Sequence, residues 1–234
     1  MLSIIIPTLN EEGRIAVVLD DLVPQLREGD EIIVVDGQSD DRTVEIAREY
    51  GARVLMQPRN GNGLAKTEGA KAAKNGIVVF VDADTRVPPG FTDRIRNHFS
   101  DPDLLLVGGL TLYESESRLR KAVYDSYSRI IFMLGKANHA LTGECYAPPN
   151  NSAFRKGVFL DAGGYRSVLC EDAELMRRLP RTKSIRYDSG LTLTLSDRRF
   201  RSNGFLRTVG LWAWGNLALI IGRGIGTEKY KQGY

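Results

Sequence analysis

Two aspartates one residue apart, Asp82 and Asp84, close the run Ile77-Val78-Val79-Phe80-Val81. Five apolar, β-prone residues in a row read as a buried strand. In an extended chain, residues i and i+2 point to the same side. Both carboxylates therefore aim into one space at the C-terminal end of a strand, where open α/β sheets hold their ligands. Two negative charges facing one spot repel unless something positive sits between them. A hard divalent cation, Mg or Mn, does this and also bridges to diphosphate oxygens. The plainer use of the same residues is a capped turn after a strand.

Three further polar stretches sit at the ends of expected elements. Pro7-Thr8-Leu9-Asn10-Glu11 follows one strand, and Asp36-Gly37-Gln38-Ser39-Asp40-Asp41 follows another. Cys170-Glu171-Asp172 opens a helix. Asp36 could serve only an Asx-type turn, and Asp172 only as a helix N-cap. The loop Asn60-Gly61-Asn62-Gly63 precedes a helix bearing Lys66, an arrangement able to cradle phosphate. It fails as a dinucleotide fingerprint, because it follows the third strand and not the first.

The elements that must hold these residues alternate through the first half. Strands are expected at Ser3–Pro7, Glu31–Val35, Arg53–Met56 and Ile77–Val81. Between them lie a helix capped by Asn10 with Ile15, Val18, Leu19 and Leu22 as its apolar stripe, then Thr43–Tyr50, then Leu64–Lys74. That order implies a Rossmann-like, mainly parallel central sheet flanked by helices, an α/β fold. The second half is less regular. It has a short helix from Pro88-Pro89-Gly90 through Phe99 and a strand at Leu104–Tyr113. An amphipathic helix follows at Leu119–Leu134, with Leu119, Val123, Tyr127, Ile130 and Leu134 at helical spacing. Residues 138–151 read as a loop. Short strands at Ser152–Phe154, Ser184–Tyr187 and Leu191–Leu195 surround helical turns at Val158–Ala162 and Asp172–Leu179.

The C-terminal part stands apart. Thr208–Gly222 carries no charge and includes Trp212 and Trp214. It is shorter than the roughly 20 residues a bilayer span needs, and Gly210 and Gly215 weaken it as a helix. It suits a core or oligomer-packing helix, or an interfacial segment docked on a bilayer between Arg207 and Arg223. The layout expected is residues 1–200 as one domain, with 1–100 the nucleotide-binding half and 101–200 an irregular acceptor half, followed by the apolar extension 201–234. A net charge of +3 is too small to argue for nucleic acid. Two cysteines, Cys145 and Cys170, make neither a disulfide framework nor a metal cluster, so a reducing cytoplasmic setting is expected. The N-terminus shows no secretory signal.

Taken in order, Ile6–Glu12, Val34–Thr43, Asp82-Ala83-Asp84 and Cys170–Leu175 resemble the motifs of the family-2 nucleotide-sugar glycosyltransferases of the GT-A fold. The resemblance covers most of residues 1–200. It implies that Pro7, Leu9 and Glu11 line the base and ribose. Leu9 stands where many relatives carry a stacking aromatic. Asp36 would accept from a base N–H, which fits uracil or guanine. Asp82-Ala83-Asp84 would meet the ribose and the metal, with Asp84 and Asp82 as metal ligands. Arg86 occupies the place of a third helper and cannot ligate a cation. Lys66 or Arg59 would touch the diphosphate, unless Lys66 is simply a solvated helix residue. Asp172 would be the general base, its proton affinity raised by Glu171 and lowered by the helix N-terminus. Asn150–Arg155 with Gly163-Gly164-Tyr165 resembles the acceptor-side segment. Arg198, Arg199 and Arg201 sit where processive members carry a basic-aromatic signature, here without its glutamine and tryptophan. They suit a leaving diphosphate, a phosphorylated acceptor or anionic lipid. His139 is a weaker candidate for a metal or acceptor contact.

The resemblance thus implies an inverting glycosyltransferase, dependent on Mg or Mn, that uses a UDP- or GDP-sugar. A glycan, a polyprenyl phosphate or another lipid-linked molecule is the acceptor, at a hydroxyl or a phosphate. Peripheral contact with the cytoplasmic membrane face and a homo-oligomer are both compatible with the apolar C-terminus. The rivals are a nucleotidyltransferase, which would need a basic glycine-rich signature after the first strand, and a non-catalytic nucleotide-sugar binding module.

Overall fold

Four apolar runs in the first half build the parallel part of one sheet. A computed structural model describes residues 1–58, 61–144 and 146–221. Arg59, Asn60, Cys145 and Arg223 lie outside the described residues. The order is β1 (Leu2–Thr8), α1 (Glu12–Leu22), β2 (Glu31–Asp36), α2 (Thr43–Glu49), β3 (Arg53–Met56), α3 (Asn62–Ala72) and β4 (Ile77–Val81). These strands lie in the order β3-β2-β1-β4, all parallel. Thr8 pairs with Asp36, so the loops after β1 and β2 leave the sheet at one end.

Both faces of these strands are covered, which is why they read as unbroken apolar runs. On one face Ile4, Ile6, Ile32 and Val34 pack with the α1 stripe Ile15, Val18, Leu19 and Leu22. On the other, Ile5, Ile33, Val35 and Phe80 pack with Ala65 and Ala70 of α3. Gly69 lets α3 approach closely. A Cβ there would sit 2.5 Å from Ile5 Cγ2 and 3.0 Å from Val35 Cγ2.

The second half extends the sheet with β5 (Thr85–Arg86), α4 (Phe91–His98), β6 (Leu106–Glu114), α5 (Arg118–Thr142), β7 (Asn151–Arg155), α6 (Lys156–Asp161), α7 (Glu171–Arg178), β8 (Ile185–Ser196), α8 (Arg198–Asn203) and α9 (Phe205–Ile220). The full order is β3-β2-β1-β4-β7-β6-β8-β5. β7 is antiparallel to β4 and β6, β8 is parallel to β6, and β5 is antiparallel to β8. The fold is α/β and GT-A-like.

Several local expectations need correcting. Asn10 does not cap α1. It adopts a left-handed conformation with φ 55°, and Glu11 holds the cap position without a side-chain bond. The Asn10 amide oxygen accepts from Asp40 N at 2.9 Å instead. Residues 138–142 are not loop, because nothing in them breaks a helix. Helix α5 continues until Gly143, whose φ of 72° lets its N–H donate to the His139 carbonyl at 2.8 Å. The two short strands expected near 184–195 are one strand. Its pairing with β6 slips between Gly109 and Leu110, which leaves Ser189-Gly190-Leu191 without partners on β6. The C-terminal stretch is a helix, as one of its two readings expected, with Thr208, Gly215 and Ala218 on its buried side.

The stripe expected on α5 is present but faces the other way. Leu119, Val123, Ile130 and Leu134 are exposed, and the helix buries only Tyr124 and Phe132. Tyr124 packs with Tyr113, Phe200 and Phe205, while Tyr127 stacks on Trp212. This aromatic cluster joins α5 to α8 and α9.

Candidate active site

Strand β4 runs between β1 and β7 and delivers Asp82 and Asp84 to the sheet end where the β1 and β2 loops open. The two carboxylates have different partners. Asp82 Oδ1 lies 2.7 Å from Lys66 Nζ. Lys66 comes from the second turn of α3 and is only 1 % exposed, and its ammonium also donates to the Pro149 carbonyl at 2.8 Å. The solvated-helix alternative for Lys66 is therefore excluded. A buried ammonium without such partners would be costly. Asn62 Nδ2 reaches the same Asp82 oxygen at 3.4 Å.

Asp84 is held from the opposite side. The short β5–β8 ladder pairs Thr85 with Leu195, and Ser196 N donates to the Asp84 carbonyl at 3.1 Å. That pairing brings the start of α8 over the carboxylates. Arg198 Nε lies 3.0 Å from Asp84 Oδ2, and the same guanidinium pairs with Glu11 Oε1. Burial pushes the Asp84 carboxyl up to about 6. The charge on Asp82 adds to the push, and Arg198 opposes it.

The β1 and β2 loops are tied together by their own polar groups. Glu11 N donates to Thr43 Oγ1 at 2.8 Å, and Asn10 N to Ser39 Oγ at 2.8 Å. Asp36 is fully buried and accepts from Ser39 N at 2.8 Å, so it makes the Asx-type turn. Pro7 lies buried within β1, and Leu9 packs beside Gly37. Glu11 is buried and pairs with Arg198.

Glu171 and Asp172 open α7 behind Cys170, which takes the cap position with φ 58°. Asp172 is thus not the N-cap. Both carboxylates are half-buried. Burial pushes Asp172 up, against backbone N–H donation from Ala173 and against the Lys66 charge. Burial also pushes Glu171 up to about 7, with Asp172 adding to the push and Lys66 opposing it. One buried ammonium therefore bears on the Asp82 carboxylate and on the α7 pair. The α7 start is packed from two sides. A Cβ on Gly63 of α3 would sit 3.1 Å from Glu171 Cγ, and one on Gly215 of α9 would sit 2.8 Å from Cys170 Sγ.

Other sequence candidates fall differently. Arg199 is exposed, and its charge reaches Glu171. Arg201 pairs with Asp197 at 2.8 Å, one turn back. Arg86 pairs with Asp21 at 2.8 Å. The His139 ring lies against Tyr187, with Nδ1 3.1 Å from the Glu144 carbonyl, so it is engaged at the end of α5. Asn62 and Thr43 lie in stretches the sequence singled out, but their own partners, Asp82 and Glu11 N, and the Pro149 carbonyl's contact with Lys66 are distant in the chain and carry no local signal.

The carboxylates suit a hard dication. All the donors are oxygens, and Asp84 is a buried carboxylate whose charge is incompletely balanced. Glu11 Oε2 is buried without a hydrogen bond, its nearest cation being the Arg14 guanidinium at 3.6 Å. Among the described residues no group of three His, Cys, Asp or Glu side chains converges on a point. Two carboxylates are nonetheless enough when substrate phosphates complete the coordination.

The sequence profile described as glycosyl transferase family 2 matches residues 3–162. A dolichyl-phosphate hexose transferase of Haloferax volcanii is 35% identical over 149 residues, 60% of this chain and 63% of that protein. A dolichyl-phosphate beta-glucosyltransferase of Trichomonas vaginalis is 30% identical over 152 residues, 57% of this chain and 45% of that protein. The chain thus spans less than two thirds of the length of these curated relatives. Among solved structures, a Pyrobaculum calidifontis mannosyltransferase in complex with GDP-Man and Mn2+ aligns with TM-score 0.67 at 19% identity, over 98% of this chain and 66% of that one. A Mycobacterium tuberculosis glucosyl-3-phosphoglycerate synthase with Mn2+ and UDP-glucose aligns with TM-score 0.64 at 21% identity, over 95% and 79%.

Proposed function

This chain belongs to glycosyl transferase family 2, and on that premise we propose that it transfers a sugar, with inversion, from a nucleoside diphosphate carrier to a lipid-linked acceptor. The observation that carries this is that buried Lys66 bears on Asp82 and on the Glu171–Asp172 pair, while Asp84, two residues from Asp82, is held by Arg198 at the same end of the sheet. One pair suits the donor diphosphate and the other the acceptor.

Asp84 and Asp82 would hold a Mg or Mn ion. When bound, such an ion offsets the negative charge that builds on the leaving diphosphate. Lys66 keeps Asp82 in place and is itself too enclosed to be a first contact for the diphosphate. Arg198 is the mobile-charge counterpart. Its planar fork matches phosphate as well as carboxylate, so an arriving diphosphate competes with Glu11 and Asp84 for it. Arg199, exposed on the same short helix, suits the acceptor side, while Arg201 braces α8 through Asp197. Pro7, Leu9 and Asp36 border the base site. Asp36 is fully buried and accepts from Ser39 N through both oxygens, at 3.2 and 2.8 Å, so a base N–H would reach its remaining lone pairs only with movement of that turn. Asp172 takes the proton of an acceptor oxygen as the new bond to the anomeric carbon forms and the nucleoside diphosphate departs from the opposite face. Burial raises its proton affinity toward that task.

The lipid-linked acceptor is supported by the names of the dolichyl-phosphate relatives and by the uncharged run of α9 from Thr208 to Ile220. Peripheral contact with a membrane surface fits the same picture. Among the described residues no helix is long and apolar enough to cross a bilayer.

A thermal-shift screen tests the donor. UDP- or GDP-sugar with Mn is expected to raise the melting temperature, because a ligand bound only by the folded state stabilises it. The nucleotide without Mn should do much less. No shift with any nucleoside diphosphate sugar would exclude the donor site.

A further inference from the structure

Helices α5 and α9 turn aromatic side chains inward yet also leave a row of large apolar side chains on their outer faces. A surface helix in water normally turns its large apolar side chains inward. Here α9 turns Thr208, Gly215 and Ala218 inward and leaves Leu206, Trp214 and Leu217 exposed. Along α5, Leu119, Ile130 and Leu134 are 76, 56 and 60% exposed. Of the fourteen exposed large apolar side chains among the described residues, ten lie on these two helices or at the end of α9. The helices adjoin through the Tyr127–Trp212 stack and the Tyr124–Phe205 contact. An exposed apolar area of this kind marks an interaction surface.

Charge identifies the occupant. Residues 118–142 and 205–221, the two helices themselves, hold six Lys and Arg against one acid, Asp125. That is an excess of five positive charges in a chain whose total is +3, so the remainder is net −2. A second copy of the chain would bring a like-charged face against this one and be repelled. An anionic bilayer satisfies both features, taking the apolar side chains into its headgroup boundary and attracting the bases.

We propose that the outer faces of α5 and α9 form one docking surface for an anionic lipid bilayer. This extends the lipid-acceptor reading by adding α5 and by naming the surface. Position supports it. The inner side of α9 packs on Leu169 and Cys170, immediately before Glu171 and Asp172. A bilayer seated on α9 thus lies next to the segment that carries the base, where a lipid-borne acceptor would arrive.

The test is co-sedimentation of the full chain with vesicles of phosphatidylglycerol and phosphatidylcholine. Binding is expected, should fall with rising salt, and should be at least tenfold weaker for neutral vesicles. Ile130→Ser with Leu134→Ser should weaken it by about tenfold or more, since both side chains are exposed and their loss removes apolar burial in lipid. The melting temperature and the nucleotide-induced shift should be unchanged in that variant. Arg129→Gln with Lys136→Gln should flatten the salt dependence. Absence of vesicle binding in the wild type would overturn the proposal. So would binding that the α5 variants leave unaltered, or a dimer seen by light scattering that the same variants dissolve without any vesicle binding. The nucleotide shift is read on the same samples, so loss of docking is distinguishable from loss of the donor site.

Discussion

Asp172→Asn is expected to bind the nucleotide sugar nearly as tightly as the wild type and to turn over roughly 10²- to 10⁴-fold more slowly, the range typical of a positioned general base. The asymmetry follows from when the group acts. Proton removal is needed only on the way to the transition state, so kcat falls while donor binding does not. The substitution is close in shape, and Asp172 is not the cap of α7, so the helix start held by Cys170 survives. Burial holds the Asp172 carboxyl above the ordinary aspartate range, and Glu171 beside it is pushed to about 7. The acid limb of the wild-type pH–rate profile should therefore lie above that of a free aspartate. A phosphate monoester that arrives as the dianion needs no base, so with such an acceptor the loss shrinks as pH rises. With a hydroxyl acceptor it persists. Steady-state kinetics with donor affinity measured separately check this, and wild-type turnover in the variant would leave Asp172 with a structural role only.

The second large effect is on the cation. Asp84→Asn keeps the shape and an acceptor for Arg198 but removes the charge. Disturbing groups around a bound metal typically costs about 10- to 100-fold in affinity or activity, and removal of a ligand charge should cost at least that. Mn-dependent nucleotide affinity is expected to fall accordingly, while affinity in the presence of a chelator stays the same in both proteins. The direction of the pH dependence follows from the carboxyl being pushed up to about 6. Proton and cation compete for it, so Mn-dependent binding in the wild type weakens as pH falls through about 6. The variant lacks that step. Titration calorimetry with and without Mn measures both, and undiminished Mn-dependent affinity in a folded variant would remove Asp84 from the metal site.

Much of this was legible in the chain because it is local. The apolar runs ending at Thr8, Asp36 and Val81 specify strands, and the two-residue repeat puts Asp82 and Asp84 on one side. The helix start at Glu171 is equally local. What could not be read depends on distant pairings. Lys66 meets a carbonyl 83 residues away, and Arg198 meets a carboxylate 187 residues away. The two-residue strand β5 has too little sequence to show itself, yet its ladder with β8 is what carries Arg198 to Asp84. The stripe on α5 illustrates a different limit. Periodicity gives the angular spacing of apolar residues along a helix but not the medium they face. Only the packed position of Tyr124 and Phe132 shows that Leu119, Ile130 and Leu134 point outward.

The central claim is sugar transfer with inversion from a nucleoside diphosphate carrier, and proton NMR of the reaction in progress tests it most directly. With UDP- or GDP-sugar, Mn and a polyprenyl phosphate acceptor in anionic vesicles, the expected result is an anomeric signal of opposite configuration to the donor's, appearing together with free nucleoside diphosphate and, at a pH where the acceptor phosphate carries a proton, much more slowly with Asp172→Asn. A product of retained configuration, or release of inorganic diphosphate as a nucleotidyltransferase would give, would contradict it.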